Sequence, residues 1–145
     1  MISVYKQFLS GILIILVFFA SGCADRDARI TASSLANRAG MTSENLQTKT
    51  FLLRALSKTA PSATMLRVYI EGDGFAWVTR TQPSRDPTPH NPVGLMLAAA
   101  DPSPDVLYLA RPCQYIGPPL PAECTTSRWT DKRFAPQVID AMDEA

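Results

Sequence analysis

Residues 66–77 read Leu-Arg-Val-Tyr-Ile-Glu-Gly-Asp-Gly-Phe-Ala-Trp, and no other stretch limits the folds open to the chain as much. The first half, 66–71, is expected as a strand. Val68, Tyr69 and Ile70 are β-branched or aromatic, and a near-continuous apolar run suits a strand covered on both faces. The second half is a sharp turn. Gly72 and Gly74 flank Asp73, and glycine reaches dihedrals closed to other residues and lets backbone approach a ligand closely. Where strands and helices alternate, such a turn places backbone N–H groups at the carboxyl edge of a parallel sheet. Open α/β sheets bind their ligands at that edge.

The flanking pattern fits this alternation. Residues 33–39 are expected as a short helix with Gly40 as its C-terminal cap, and 42–47 as a loop. Residues 48–56, with Thr50, Phe51, Leu52 and Leu53, are expected as a strand lying antiparallel beside 66–71. Downstream, Asn91 suits an N-cap and Pro92 a first helical position, which predicts a helix over 93–100. Asp101-Pro102-Ser103-Pro104 stops it, because proline cannot continue a helix. Residues 106–110 are a second apolar strand, and the strand, helix, strand order implies a parallel pair. A final helix is expected over 135–144, with Phe134, Val138, Ile139 and Met142 on one face.

Tyr-Ile-Glu-Gly-Asp-Gly resembles the oxyanion loop of the α/β-hydrolases, which follows the third strand and commonly reads His-Gly-Gly-Gly or His-Gly-X. Glu71 stands where that family often has His. Residues 81–92 are also similar to the following loop in bacterial secreted α/β-hydrolase lipoproteins, and the resemblance runs from about Phe51 onward. It implies an α/β fold over 48–145: a partial α/β-hydrolase-like sheet, antiparallel at its start, then parallel strands with crossover helices. It implies ester or acyl hydrolysis in the full-length family, with no cofactor. By the same resemblance, the Asp73 N–H is the expected oxyanion-hole donor and the Gly74 N–H the second.

The nucleophile elbow, Gly-X-Ser-X-Gly, is not found in these 145 residues. The family places its catalytic acid and histidine later still, so His90 is not carried over as the triad histidine. The chain is therefore expected to be the N-terminal fragment of an envelope-anchored hydrolase, inactive alone. A small-molecule, ester-like substrate is expected only with the missing half. The alternative is a non-catalytic bacterial lipoprotein with a binding or structural role in the envelope.

The envelope expectation comes from residues 1–22. Lys6 is followed by an apolar run over 8–20, shorter than the roughly 20 residues that span a bilayer, and this reads as a secretory signal. Ala20-Ser21-Gly22-Cys23 resembles a lipobox, which makes Cys23 the lipidated residue and the membrane a partner through its anchor. The alternative is a short membrane anchor with an incidental cysteine. Ala24 after Cys23 points to the outer membrane, facing the periplasm. Residues 23–47 are then expected as a tether and short helix.

With Cys23 set aside, Cys113 and Cys124 form an even pair in an oxidising compartment, where a bridge contributes roughly 3 kcal/mol. Unpaired thiols or a metal site are the alternatives. A metal needs further ligands nearby, and the single histidine, His90, has no partner at ligand spacing. A net charge of +1 without a basic cluster argues against nucleic acid. Glu71 and Asp73 suggest either an acid/base pair or a loop support beside a backbone donor. Arg80, Arg85 and Arg111 are the candidate cations for Asp73. Trp77 and Trp129 are read as core or cleft residues, and Ser84 and Ser103 as loop serines without a base.

Overall fold

The computed structural model describes residues 27–61 and 64–145. Among them the chain forms three α-helices, a short 3₁₀ turn at Thr126–Trp129 and a four-stranded mixed sheet. The proposed signal and Cys23 lie outside the described residues.

Helix α1, Ala28–Arg38, starts five residues before the expected helix. Residues expected as tether are therefore helical. Asp27 caps it by accepting from the Arg29 N–H at 2.9 Å. At the other end Gly40 has φ +68°, with Gly40 N–H donating to the Asn37 carbonyl and Met41 N–H to the Ala36 carbonyl. This is a Schellman closure, and a left-handed residue there favours glycine. The buried face is Ala32 and Ala36, so the first half looks polar in sequence.

Strand β1, Thr42–Gln47, was expected as a loop. Its side chains are nearly all exposed because it is an edge strand held by backbone pairing. It runs antiparallel to β2, Leu52–Lys58, with Thr42 opposite Ser57 and Gln47 opposite Leu52. Thr48 closes the hairpin: its hydroxyl donates to the Phe51 carbonyl at 2.8 Å and accepts from the Phe51 N–H at 3.0 Å.

The sheet order is β1-β2-β4-β3. Strand β4, Val106–Leu109, is antiparallel to β2 and parallel to β3, Arg67–Ile70. Helix α2, Val93–Ala100, connects the parallel pair. Two expectations are corrected here. Strand β3 is not the neighbour of β2, because β4 lies between them. Nor is β3 covered on both faces: Val68 is 50% and Ile70 59% exposed.

Alternation along the strands divides the core in two. Val106 and Tyr108 of β4 pack with Leu56, with Ala32 and Ala36 of α1, and with Leu95 and Ala98 of α2. Leu109 packs on the other face with Leu53 and Ala55 of β2, with Trp129, and with Val138 and Ala141 of helix α3, Pro136–Asp143. The α3 face differs from the expected one. Val138 and Ala141 are buried, Met142 is half-buried, and Phe134 and Ile139 are exposed.

Candidate functional site

Glu71 follows β3 directly, and its N–H extends the parallel ladder to the Leu109 carbonyl at 3.0 Å. Its side chain turns inward and is buried. Oε1 accepts from the N–H groups of Gly72 at 3.0 Å and Gly94 at 3.1 Å, and Oε2 accepts from the Tyr108 hydroxyl at 3.0 Å. A longer contact of 3.4 Å reaches the Leu95 N–H. Gly94 and Leu95 are in the first turn of α2, so a carboxylate from a distant part of the chain caps that helix and meets its positive end. This replaces the Asn91 cap expected from sequence: Pro92 takes the N-cap position and makes no side-chain capping bond. Burial pushes the Tyr108 phenol above its ordinary range, so it stays a donor to Glu71.

The two loop glycines differ. A Cβ on Gly74, which has φ +66°, would fall 2.1 Å from the Pro87 carbonyl oxygen and 2.6 Å from Gln114 Nε2. A Cβ on Gly72 would meet nothing within 4 Å. Gln114 ties the loop down by donating from Nε2 to the Gly72 carbonyl at 3.0 Å.

Asp73 sits between them, exposed, with its carboxylate turned to a cation pair. Oδ1 is 2.7 Å from Arg111 Nη1 and Oδ2 is 3.2 Å from Arg133 Nε. Both guanidinium groups also lie 5.0 Å from the centre of the Phe134 ring. Of the cations expected from sequence, Arg111 is the partner, and neither Arg80 nor Arg85 contacts Asp73. Arg133 was missed because it lies sixty residues further along the chain. The two carboxylates form no acid/base pair: Glu71 is spent on α2 and Tyr108, Asp73 on the arginines.

Among the described residues, the backbone N–H groups of Asp73 and Gly74 have no hydrogen-bond acceptor. Gly74 borders a groove of about 590 Å³ shared by Ile70, Gly72, His90, Val93 and Leu97, whereas Asp73 lies outside its lining, beside Arg111 and Arg133. His90 stacks on Phe75 with ring centres 4.3 Å apart. Ser84 is buried and donates to the Asp86 carbonyl, and Ser103 accompanies Asp101 through its backbone N–H. Neither is set beside a base. Trp129 is in the core, whereas Trp77 is exposed and pairs with Pro83 away from it.

Cys113 and Cys124 are joined, with Cα atoms 5.6 Å apart. Cys113 is fully buried beside Trp129 and Val138, so the bridge ties the 113–124 loop to the core under α3. Among the described residues, no three His, Cys, Asp or Glu side chains gather as a metal site, and no helix is long and apolar enough to cross a membrane.

Comparison of the chain with protein-family models, with curated proteins and with solved structures finds no match.

Proposed function

We propose that this chain supplies the oxyanion-loop part of an envelope-anchored α/β-hydrolase-like enzyme acting on an ester or related acyl bond, with its nucleophile on polypeptide beyond these 145 residues. The observation that carries this reading is the pair of N–H groups on Asp73 and Gly74, without acceptors among the described residues, at the carboxyl end of a parallel strand. When a nucleophile attacks an acyl carbon, the carbonyl oxygen becomes an oxyanion. Preorganised N–H donors stabilise it, each by about 3 kcal/mol. A carboxylate one residue away would oppose this, but Asp73 is matched by Arg111 and Arg133, which leaves a local excess of positive charge.

Among the described residues β3 is an edge strand, which supports the same reading. The N–H groups of Arg67 and Glu71 point to β4, so those of Val68 and Ile70 face the open side. A further parallel strand there would end at the rim that carries Gly72 to Gly74, which is where the hydrolase resemblance puts the nucleophile. Anchoring through Cys23 belongs to the same proposal.

A second reading, a non-catalytic envelope lipoprotein, is favoured by one observation. The fit of Gly74 against Pro87 and Gln114 and the bonds of Glu71 account for the loop by packing alone. The readings separate on the DNA that follows the codon for Ala145. With that DNA translated in all frames, a strand followed by Gly-X-Ser-X-Gly within a few tens of residues supports the hydrolase, and its absence supports the second. Purified as these 145 residues, the chain should give no esterase turnover, and measurable turnover would mean that the nucleophile has been misplaced.

A further inference from the structure

A separate cavity of about 100 Å³ lies between α1 and the β1–β2 hairpin, lined by Arg29, Ser33, Ser43, Arg54 and Tyr115 over Leu56. Three polar atoms of these residues are buried without a hydrogen-bond partner among the described residues: Arg29 Nε, Arg54 Nε and the Tyr115 hydroxyl. Folded proteins rarely leave buried donors unmatched, and each such group asks for an acceptor. The space exceeds the roughly 30 Å³ that one water occupies in the liquid.

The chemistry of the lining is one-sided. A guanidinium donates and cannot accept. Burial pushes the Tyr115 phenol above its ordinary range, so it too holds its proton. The neighbouring Tyr108 hydroxyl gives its own proton to Glu71, so between the two phenols only the Tyr115 proton is free to turn toward the cavity. Arg54 Nη1 donates to Ser43 Oγ at 2.7 Å, which leaves the Ser43 hydroxyl proton available. The charges of the two arginines differ. Arg29 is matched by Asp86 at 2.5 Å and Asp27 at 3.6 Å, whereas Arg54 has no carboxylate at ion-pair distance among the described residues. The complement of this lining is a compact group that only accepts, carries negative charge and offers several oxygens on one centre.

We propose that this cavity binds a phosphate group, held by Arg54 and Arg29 through their Nε–H donors and by the hydroxyls of Tyr115 and Ser43. Free inorganic phosphate and the phosphodiester of a lipid headgroup present the same oxygens. The site is distinct from the Gly72–Gly74 rim and does not depend on the hydrolase reading.

The test uses the full chain in nonionic detergent, labelled with ¹⁵N-arginine and titrated with inorganic phosphate against chloride at matched ionic strength. A second arm adds short-chain phosphatidylglycerol. The Nε–Hε resonances of Arg29 and Arg54 should shift saturably with one of the two phosphate sources, while that of the exposed Arg80 stays in place. Which source produces the shift identifies the ligand as free ion or headgroup. Arg54→Gln should abolish the shift of the Arg29 resonance, and Tyr115→Phe, which keeps the ring in place, should weaken binding about tenfold. The proposal is overturned if neither source gives a saturable shift, if chloride does as well, or if Arg54→Gln binds like the parent.

Discussion

The Tyr108 hydroxyl, on β4, donates a 3.0 Å hydrogen bond to Oε2 of Glu71, the residue that follows β3. Through this contact the parallel strand pair and the N-terminus of α2 share one buried carboxylate. Replacing Glu71 by Ala leaves Tyr108 and the N–H groups of Gly94 and Leu95 without their acceptor. The expected loss is about 3 kcal/mol, read by urea denaturation. Tyr108→Phe keeps the carboxylate bonded to backbone and should cost only about 1 kcal/mol. Equal losses in the two variants would mean that Glu71 does not hold the α2 terminus.

The glycine loop makes a sharper comparison. Gly74→Ala combines a positive φ with a 2.1 Å collision against backbone and should cost more than about 2 kcal/mol. Gly72→Ala meets open space and should change stability by less than about 0.5 kcal/mol. Thermal melts of the two variants side by side check the pair.

The Cys113–Cys124 bridge closes an 11-residue separation beneath α3. Reduction should remove about 2–4 kcal/mol, seen as a lower melting temperature in dithiothreitol than in buffer. A melt that does not respond to reductant would contradict the bridge.

Acid should act through Asp101. Its carboxyl is held well below the ordinary carboxylate range, first by hydrogen bonding from Ser103 and then by the Tyr69 hydroxyl, with Arg67 beside it. A depressed pKa means that the folded state binds its proton less readily than the unfolded one. The contribution is therefore complete above about pH 4 and is lost as pH falls below that, toward 2 and under. Asp86 and Glu144 are also depressed and add to the same limb. For Asp86, bonds from Thr88 and Arg29 outweigh the opposing effect of burial. For Glu144, the Lys49 N–H is the largest cause. Stability measured from pH 6 to pH 2 should fall below 4, and Asp101→Asn should flatten that fall. An unchanged acid limb would rule out Asp101 as its source.

Much of the second half of the chain was legible in sequence because its signals are local. The apolar run of β4, the proline stop after α2 and the glycine turn after β3 each announce themselves within a few residues. The first half was less legible. The buried face of α1 is two alanines, and β1 is an edge strand with exposed polar side chains, so neither carries a hydrophobic period. Sheet order was misjudged for β2 and β3 because their closeness in sequence suggested a hairpin, whereas β4 arrives later and takes the place between them. The site divides the same way. Gly72, Asp73 and Gly74 were visible as a motif. The capping of α2 by Glu71 and the clasp of Asp73 by Arg133 join distant parts of the chain and left no local mark.

The expected oxyanion donor is the backbone N–H of Asp73, and proline at that position removes it directly. The measurement is kcat for hydrolysis of a p-nitrophenyl ester by the product of the reading frame continued past Ala145, comparing Asp73→Pro with Asp73→Ala. Turnover is expected in the continued product, with a fall of about 10²–10³-fold in the proline variant beyond that of the alanine variant. Equal rates in the two variants, or no hydrolysis by the continued product, would contradict this expectation.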